Sequence, residues 1–256
     1  MTANPIRSVL ITGAAGGIGS AMVAYLHQQG WQVIASDHPS ACPVPADYPP
    51  KGVAWLPADL QHLASGGQPL EAFSAQVAEL TSAAPLLAIV HNAALQRLGS
   101  FAELSVTDWQ TSLAVNLLAP VAISRTLMPY LIANQGSIVH ISSIHSQLTK
   151  AGFTAYATSK AALSGLTRAM SVEIGAQVRV NAIEPAAIRT PMLEAGFADQ
   201  LAALAQLEAF HPSGSIGLPL DVARAVSYLI DPANTFLNGC TLELGGGIHN
   251  RLHDPG

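Results

Sequence analysis

The stretch Val9-Leu10-Ile11-Thr12-Gly13-Ala14-Ala15-Gly16-Gly17-Ile18-Gly19 runs from an apolar segment straight into a glycine-rich turn, and a helical pattern follows over residues 17–29. Aliphatic residues without polar alternation mark a strand covered on both faces. Glycines directly after such a strand let the backbone turn sharply and approach a ligand closely. The N–H groups of the first helical turn then point at anionic oxygens. Strand, glycine turn and helix in this order predict a pyrophosphate site; a tight turn with no ligand is the plain alternative. The glycines fit two registers, Gly13-Gly17-Gly19 and Gly13-Gly16-Gly19.

Outward from this unit the same rhythm repeats. Strands are expected at Val9–Thr12, Gln32–Ser36, Val53–Leu56, Leu86–Val90, Ser137–Ser142, Val178–Ile183 and Thr241–Leu244, with helices near 17–29, 69–82, 106–133, 155–174 and 221–230. Gly30 and Gly175 sit where a helix would end in a left-handed residue, Ser105 and Asp221 where one would be N-capped, and Pro69 suits a first turn. Repeated β-α-β units with right-handed crossovers predict an α/β fold: one doubly wound, seven-stranded parallel sheet with helices on both faces. No repeat or long linker divides the chain, so residues 1–256 are expected to form a single domain. Two segments break the rhythm, the proline-rich Pro39–Lys51 and Thr190–Pro219 with a helical patch at Asp199–Phe210. The second follows a strand's C-terminal end, so 190–219 is expected to be a substrate lid, or else surface packing or a subunit contact.

Composition narrows the function. The 256 residues are 50% hydrophobic and 11% charged, which excludes a disordered chain and a highly charged coiled coil. A net charge of −5 offers no basic field for nucleic acid. The longest uncharged run, Ser8 to Ser36, is interrupted by glycines and polar residues and does not read as a membrane span. With no basic, apolar leader at the N-terminus, a soluble cytoplasmic protein is expected. Cys42 and Cys240 fit no metal-ligand or redox spacing and read as free thiols; no metal is expected.

Asp37 ends the second strand, 18 residues after Gly19, where a carboxylate can accept hydrogen bonds from ribose hydroxyls and repel a 2′-phosphate. No Arg or Lys lies in the turn or beside Asp37, and His38 is the one nearby cation candidate, so NAD is favoured over NADP. Asp37 capping a turn before Pro39 is the alternative. Asp59-Leu60, after the third strand, can reach an adenine; His91-Asn92-Ala93-Ala94, after the fourth, forms the floor of the same crevice.

The fifth strand ends in Ser142-Ser143, and thirteen residues after Ser143 come Tyr156 and then Lys160 at i+4. On one helix these two share a face. A tyrosine titrates near 10, but an ammonium about 4 Å away at an effective dielectric near 20 contributes roughly 4 kcal/mol, up to about 3 pKa units. Tyr156 is therefore expected near neutrality, as a general acid/base, with Ser143 holding the substrate oxygen.

Thr12–Gly19, Asp59, Asn92, Asn116, Ser143 and Tyr156-Ala157-Thr158-Ser159-Lys160, together with Glu184–Thr190 and Leu244–Gly247, resemble the short-chain dehydrogenase/reductase family over nearly the whole chain. The resemblance implies a Rossmann-type, nicotinamide-dependent oxidoreductase, a homotetramer or homodimer, with an Asn116-Ser143-Tyr156-Lys160 catalytic set. It also implies that Gly13, Gly16, Gly17, Ile18, Gly19 and Asn92 surround the cofactor, that Lys160 holds the nicotinamide ribose, and that Pro185, Ile188 and Thr190 lie by the carboxamide. Pro120 has no N–H for the Asn116 carbonyl, which is then free for a relay water or marks an ordinary proline kink. Ala94, Ala186 and Gly245 depart from the family pattern, the first two at positions that are usually glycine. The expected substrate is a secondary alcohol or ketone. Gln96, His145, Gln147 and Met192 are its candidate contacts, and the three polar ones favour a sugar- or polyol-like molecule unless they only face solvent. A cofactor-binding sensor without chemistry, and an epimerase or dehydratase using transient oxidation, remain as alternatives.

Overall fold

A computed structural model describes residues 7–41 and 48–252, and Cys42 lies outside them. Strands β1 (Arg7–Thr12), β2 (Trp31–Ser36), β3 (Ala54–Trp55), β4 (Leu86–His91), β5 (Ser137–Ile141), β6 (Arg179–Pro185) and β7 (Thr241–Leu244) form one parallel sheet in the order β3-β2-β1-β4-β5-β6-β7. The chain leaves β1 toward one edge and returns to its other side at β4. The crevice outside the C-terminal ends of the strands at this reversal is where open α/β sheets bind ligands.

The helices are α1 (Gly17–Gln28), α2 (Leu60–Ala64), α3 (Gly67–Leu80), α4 (Val106–Leu113), α5 (Ala119–Ala133), α6 (Thr154–Ile174), α7 (Pro191–Gly196), α8 (Leu201–Phe210) and α9 (Pro219–Ile230). Successive strand side chains point to opposite faces, and here both faces are apolar. Val9, Ile11, Ala88, Val90, Val139 and Ile141 pack under α1 and α9. Leu10, Ile89 and Ile138, their neighbours in sequence, pack under α2, α3 and α5. That double coverage is the reason the strands read as unbroken apolar runs. The uncharged run from Ser8 to Ser36 divides into β1, the glycine turn, α1 and β2.

Four local expectations change. α2 and α7 are helices too short to show a 3.6-residue pattern. Asp221 is not an N-cap: it lies inside α9, where its Oδ2 accepts the Leu218 N–H at 2.8 Å. Gly175 is right-handed (φ −61°), and its lack of a side chain answers a close approach instead, since a Cβ would lie 2.1 Å from the Ser171 carbonyl and 2.2 Å from Asn238 Nδ2. Gly30 is left-handed as expected (φ +85°). The helix expected over 106–133 is split by a π-helical turn at Ala114–Leu118. Among the described residues 106–133 is the one helical stretch long and apolar enough to cross a bilayer, yet Ile123, Leu127 and Leu131 are fully buried against the sheet.

Candidate active site

The glycine turn sits at the sheet's reversal point and is held by its neighbours. Asn92 Nδ2 donates to the carbonyls of Thr12 (3.1 Å) and Gly13 (2.9 Å), while Thr12 Oγ1 accepts the N–H groups of Asn92 and Ala93. Asn92 is thus spent on the turn itself. Gly13 (φ +67°) has no room for a Cβ, which would lie 2.6 Å from Ala93 Cα; on Gly19 it would lie 2.0 Å from the Gly13 carbonyl. On Gly17 it would press Thr190 at 3.0 Å, whereas on Gly16 the nearest atom is 3.5 Å away. The constrained register is therefore Gly13-Gly17-Gly19. Gly16 caps α1 with no side-chain hydrogen bond, so the first N–H groups of the helix keep their donor capacity. Ile18 packs partly into the core.

Asp37 lies against this turn: Oδ2 accepts the Ala15 N–H at 2.8 Å and Oδ1 the His38 N–H at 2.7 Å. Tyr48, from the proline-rich loop, donates to the Ala14 carbonyl at 2.6 Å, and burial followed by the Asp37 charge pushes its phenol above the ordinary value. The sequence held no signal for Tyr48, because only the fold brings it to the turn. Asp59 caps α2 through the Gln61 N–H (2.9 Å) and lies 3.7 Å from His38 and 3.5 Å from His62. Leu60 turns into the core. Asp59 thus uses one carboxylate oxygen to cap α2, while Oδ2 faces the two histidines. A bare glycine cradle, an uncapped helix N-terminus and a carboxylate beside it fit the pyrophosphate and adenosine ribose of a dinucleotide.

At the other end of the crevice α6 carries Tyr156 and Lys160. Lys160 is 2% exposed; its Nζ donates to the Ile141 carbonyl at 2.7 Å and lies 5.7 Å from the centre of the Tyr156 ring. Desolvation pushes Lys160 down to about 7. Burial pushes Tyr156 up, opposed by its hydrogen bond with Ser143. The expected acidification of the phenol is therefore corrected. Burial disfavours the charged form of both groups, the phenolate of Tyr156 and the ammonium of Lys160. Ser143 is nearly buried, and its Oγ accepts the His145 N–H at 3.2 Å.

Asn116 lies in the π-turn with its carboxamide fully engaged: Oδ1 accepts the Leu95 N–H (2.7 Å), and Nδ2 donates to the Leu95 carbonyl and to Ser159 Oγ (both 2.9 Å). Its side chain holds the end of β4 against α6. The Pro120 question resolves into a widened turn, with the Ala119 N–H reaching back to the Ala114 carbonyl.

The substrate candidates separate. His145 stacks on Phe153 at 4.3 Å and meets Tyr156 edge-on at 5.8 Å, so it borders the Tyr156 ring. Gln147 Nε2 donates one hydrogen bond to Glu184 at 2.6 Å. Gln96 is exposed beyond β4, and Met192 is 78% exposed on α7. Pro185 ends β6, Ile188 is buried against Gly217, and Thr190 caps α7 through the Leu193 N–H. Neither Ala94 nor Ala186 adopts a positive φ, so a methyl strains neither backbone position. His91 and His140, partners across β4 and β5, stack at 5.4 Å beneath the site, and burial holds both well below the ordinary histidine value.

Comparison with known proteins agrees with this arrangement. A family model described as enoyl-(acyl carrier protein) reductase matches residues 13–249. L-Xylulose reductase of Bos taurus is 31% identical over 94% of this chain and 96% of its own. Ligand-free aldohexose dehydrogenase of Thermoplasma acidophilum superimposes with a TM-score of 0.87 at 26% identity, covering 98% of this chain and 97% of that one. A Beutenbergia cavernae protein assigned provisionally as an NAD(P)-dependent gluconate 5-dehydrogenase, with NADP at low occupancy, gives 0.83 at 31% identity over 96% and 98%. With a glycine cradle at the switch point and Ser143, Tyr156 and Lys160 at the strand ends beside it, the chain belongs to the short-chain dehydrogenase/reductase family of oxidoreductases.

Proposed function

We propose that the protein transfers a hydride between NAD(H) and a secondary alcohol or ketone of a hydroxylated, sugar- or polyol-like substrate. The observation that carries the reading is the convergence of Ser143 and Tyr156 over a buried Lys160, at the end of the crevice opposite the glycine cradle. A bound nicotinamide supplies or takes the hydride. Ser143 orients the substrate oxygen and Tyr156 exchanges its proton, while Lys160 stabilises the ionised phenol. Burial favours the neutral phenol, the form that donates to a carbonyl oxygen during reduction. Gly13, Gly17, Gly19 and the start of α1 would hold the pyrophosphate, Asp37 the adenosine ribose, and Ile188 and Thr190 the carboxamide side. The carbonyl of Asn116, which Pro120 cannot satisfy, would take a relay water.

NAD is favoured because Asp37 faces the turn and the nearest cation candidate, His38, is drawn to Asp59 at 3.7 Å and to Ser40 at 2.7 Å. A polar substrate is supported by what the relatives are named for, a xylulose, an aldohexose and a gluconate, and by His145 beside Tyr156. Residues 190–219 would close over it as a lid, since α8 buries none of its side chains and Met192 stands exposed. The same reading takes residues 1–256 as one domain. It takes the exposed Leu118, Val121, Tyr130 and Ile132 of the 106–133 stretch as a subunit contact in a homodimer or homotetramer. Absorbance of NADH across a panel of polyols, aldoses and ketoses tests the activity. Tyr156→Phe should retain NADH binding while turnover falls by about 100- to 10,000-fold; retained turnover would remove Tyr156 from its role.

A further inference from the structure

Glu184 is the feature of the site that the reaction leaves unexplained. It lies on β6, 1% exposed, immediately before Pro185. Among the described residues no Lys or Arg pairs with it. Neutral donors surround it instead. Gln147 Nε2 donates to Oε2 at 2.6 Å, Ser164 Oγ donates to Oε1 at 2.7 Å, and Ser146 Oγ donates to Oε1 at close range. Ser164 also lies 2.8 Å from Ser142 Oγ, which donates to the Lys160 carbonyl at 2.9 Å. One carboxylate thus ties together β6, α6 and the turn that follows Ser143.

A carboxylate buried without a cation is costly, and an apolar side chain of the same shape would pack this position at lower cost. What an apolar residue cannot do is hold Ser146 and Gln147 in place. These two directly follow His145 and close the 3-10 turn Ile144–Ser146, whose first N–H groups fold back on Ser143: the His145 N–H reaches Ser143 Oγ at 3.2 Å and the Ser146 N–H its carbonyl at 2.9 Å. The turn therefore sets the direction of the Ser143 hydroxyl and the place of the His145 ring against Tyr156.

We propose that Glu184 is a positioning residue, whose buried carboxylate clamps the 144–147 turn so that Ser143 and Tyr156 converge on one substrate oxygen. The inference rests on the functional reading above. It also accounts for Gln147, whose amide serves the clamp and not the substrate.

Glu184→Gln keeps the shape but sets an amide against a cluster of donors. With the fold and thermal midpoint intact, kcat should fall roughly 10- to 100-fold and substrate KM rise, while the Kd for NADH stays within about twofold, because the glycine cradle is untouched. The reciprocal variant Glu184→Gln/Gln147→Glu restores a donor–acceptor pair across the same gap and should recover most of the lost kcat. A residue that serves packing alone would show neither the split between kcat and NADH binding nor the rescue. Wild-type kcat in a folded Glu184→Gln, or a folded swap as slow as the single variant, overturns the proposal. Should Glu184→Gln not fold, Ser146→Ala/Gln147→Ala cuts the clamp from the turn side and should give the same loss of kcat; unchanged kcat there is equally fatal. A wild-type protein that binds NADH yet turns over none of the panel sinks the functional reading and the clamp together, whereas an active wild type matched by Glu184→Gln sinks the clamp alone.

Discussion

At the glycine turn the groups that would meet a ligand are main-chain N–H donors and one part-buried carboxylate, Asp37, already oriented by Ala15 and His38. At the far end of the crevice the working groups are side chains, and Lys160, His91, His140 and Glu184 are all 2% exposed or less. The first end offers chiefly main-chain dipoles, which carry no net charge to take out of water. The second removes ionisable groups from water, which costs stability, in order to hold reactive atoms in place. If the contrast is real, substitutions at the first end should act through backbone geometry and those at the second through protonation.

The largest effect is expected at the backbone end. A Cβ on Gly19 would lie 2.0 Å from the Gly13 carbonyl and 2.8 Å from Ala14 Cα, so Gly19→Ala must displace main chain. NADH binding should be lost and stability should drop by about 3 kcal/mol or more. Gly16→Ala, whose nearest contact would be 3.5 Å away, should change stability by less than about 1 kcal/mol. Calorimetry with NADH titration checks both, and equal effects at the two glycines would break the register argument.

Lys160 provides the matching test at the chemical end. Its folded value, about 7, lies below the ordinary 10.5, so between these pH values the unfolded chain holds a proton that the folded chain does not. Folding stability from this group therefore increases from pH 7 to 10.5 and is lowest below 7. Lys160→Met removes the penalty: turnover should fall at least about 100-fold while the protein becomes on the order of 3 kcal/mol more stable at pH 7, an advantage that narrows toward pH 10. Thermal midpoints of both proteins across that range decide it. A variant less stable than wild type at pH 7 would show that the ammonium contributes to the fold.

Much of this division was legible in the chain itself, for a physical reason. A backbone cradle demands glycine after a strand, and a sheet covered twice demands unbroken aliphatic runs, so the glycine turn and all seven strands could be read directly, whereas the choice between Gly16 and Gly17 waited for Thr190, which only the fold brings against the turn. Tyr156 and Lys160 were legible because helical spacing puts them on one face. What escaped depends on partners distant in the chain. The hydrogen bond from Gln147 to Glu184, 37 residues later in the sequence, exists only because β6 brings the two together. The pairing of His91 with His140 exists only through the register of β4 against β5. The partners of the Asn116 carboxamide, Leu95 and Ser159, likewise come from other elements and left no signal in the sequence. Pro120 showed that one hydrogen bond was missing without showing that the helix would widen into a π-turn.

The histidine pair gives an effect that appears only on acidification. His140 Nδ1 meets Thr167 Oγ1 at 2.8 Å and His91 Nε2 meets Ser124 Oγ at 2.8 Å, while His91 Nδ1 and His140 Nε2 have no partner among the described residues. Burial lowers both, His140 to about 3, with the other ring adding to the shift at His91 and Lys160 to that at His140. Below pH 6.5 the unfolded chain protonates these rings and the folded chain resists, so stability falls with falling pH by about 1.4 kcal/mol per unit for each ring. Urea midpoints from pH 7.5 to 4.5 should show that slope, and His91→Asn/His140→Asn should flatten it. An unchanged slope would mean that the acid sensitivity lies elsewhere.

The smallest effect returns to the backbone end and asks how much of its selectivity belongs to side chains. Asp37→Ala removes the acceptor for the Ala15 N–H and the charge that would repel a 2′-phosphate; NAD(H) should bind more weakly and the preference over NADP(H) should relax. Tyr48→Phe deletes one hydrogen bond to the Ala14 carbonyl, worth about 1 kcal/mol, and leaves that charge in place. It should therefore weaken both cofactors about equally, by roughly fivefold, with their ratio unchanged. If Tyr48→Phe shifted the ratio as Asp37→Ala does, discrimination would come from the shape of the proline-rich loop over the turn. The contrast between an end built of dipoles and one built of buried side chains would then need redrawing, because a side chain from a distant loop would be setting the choice of cofactor.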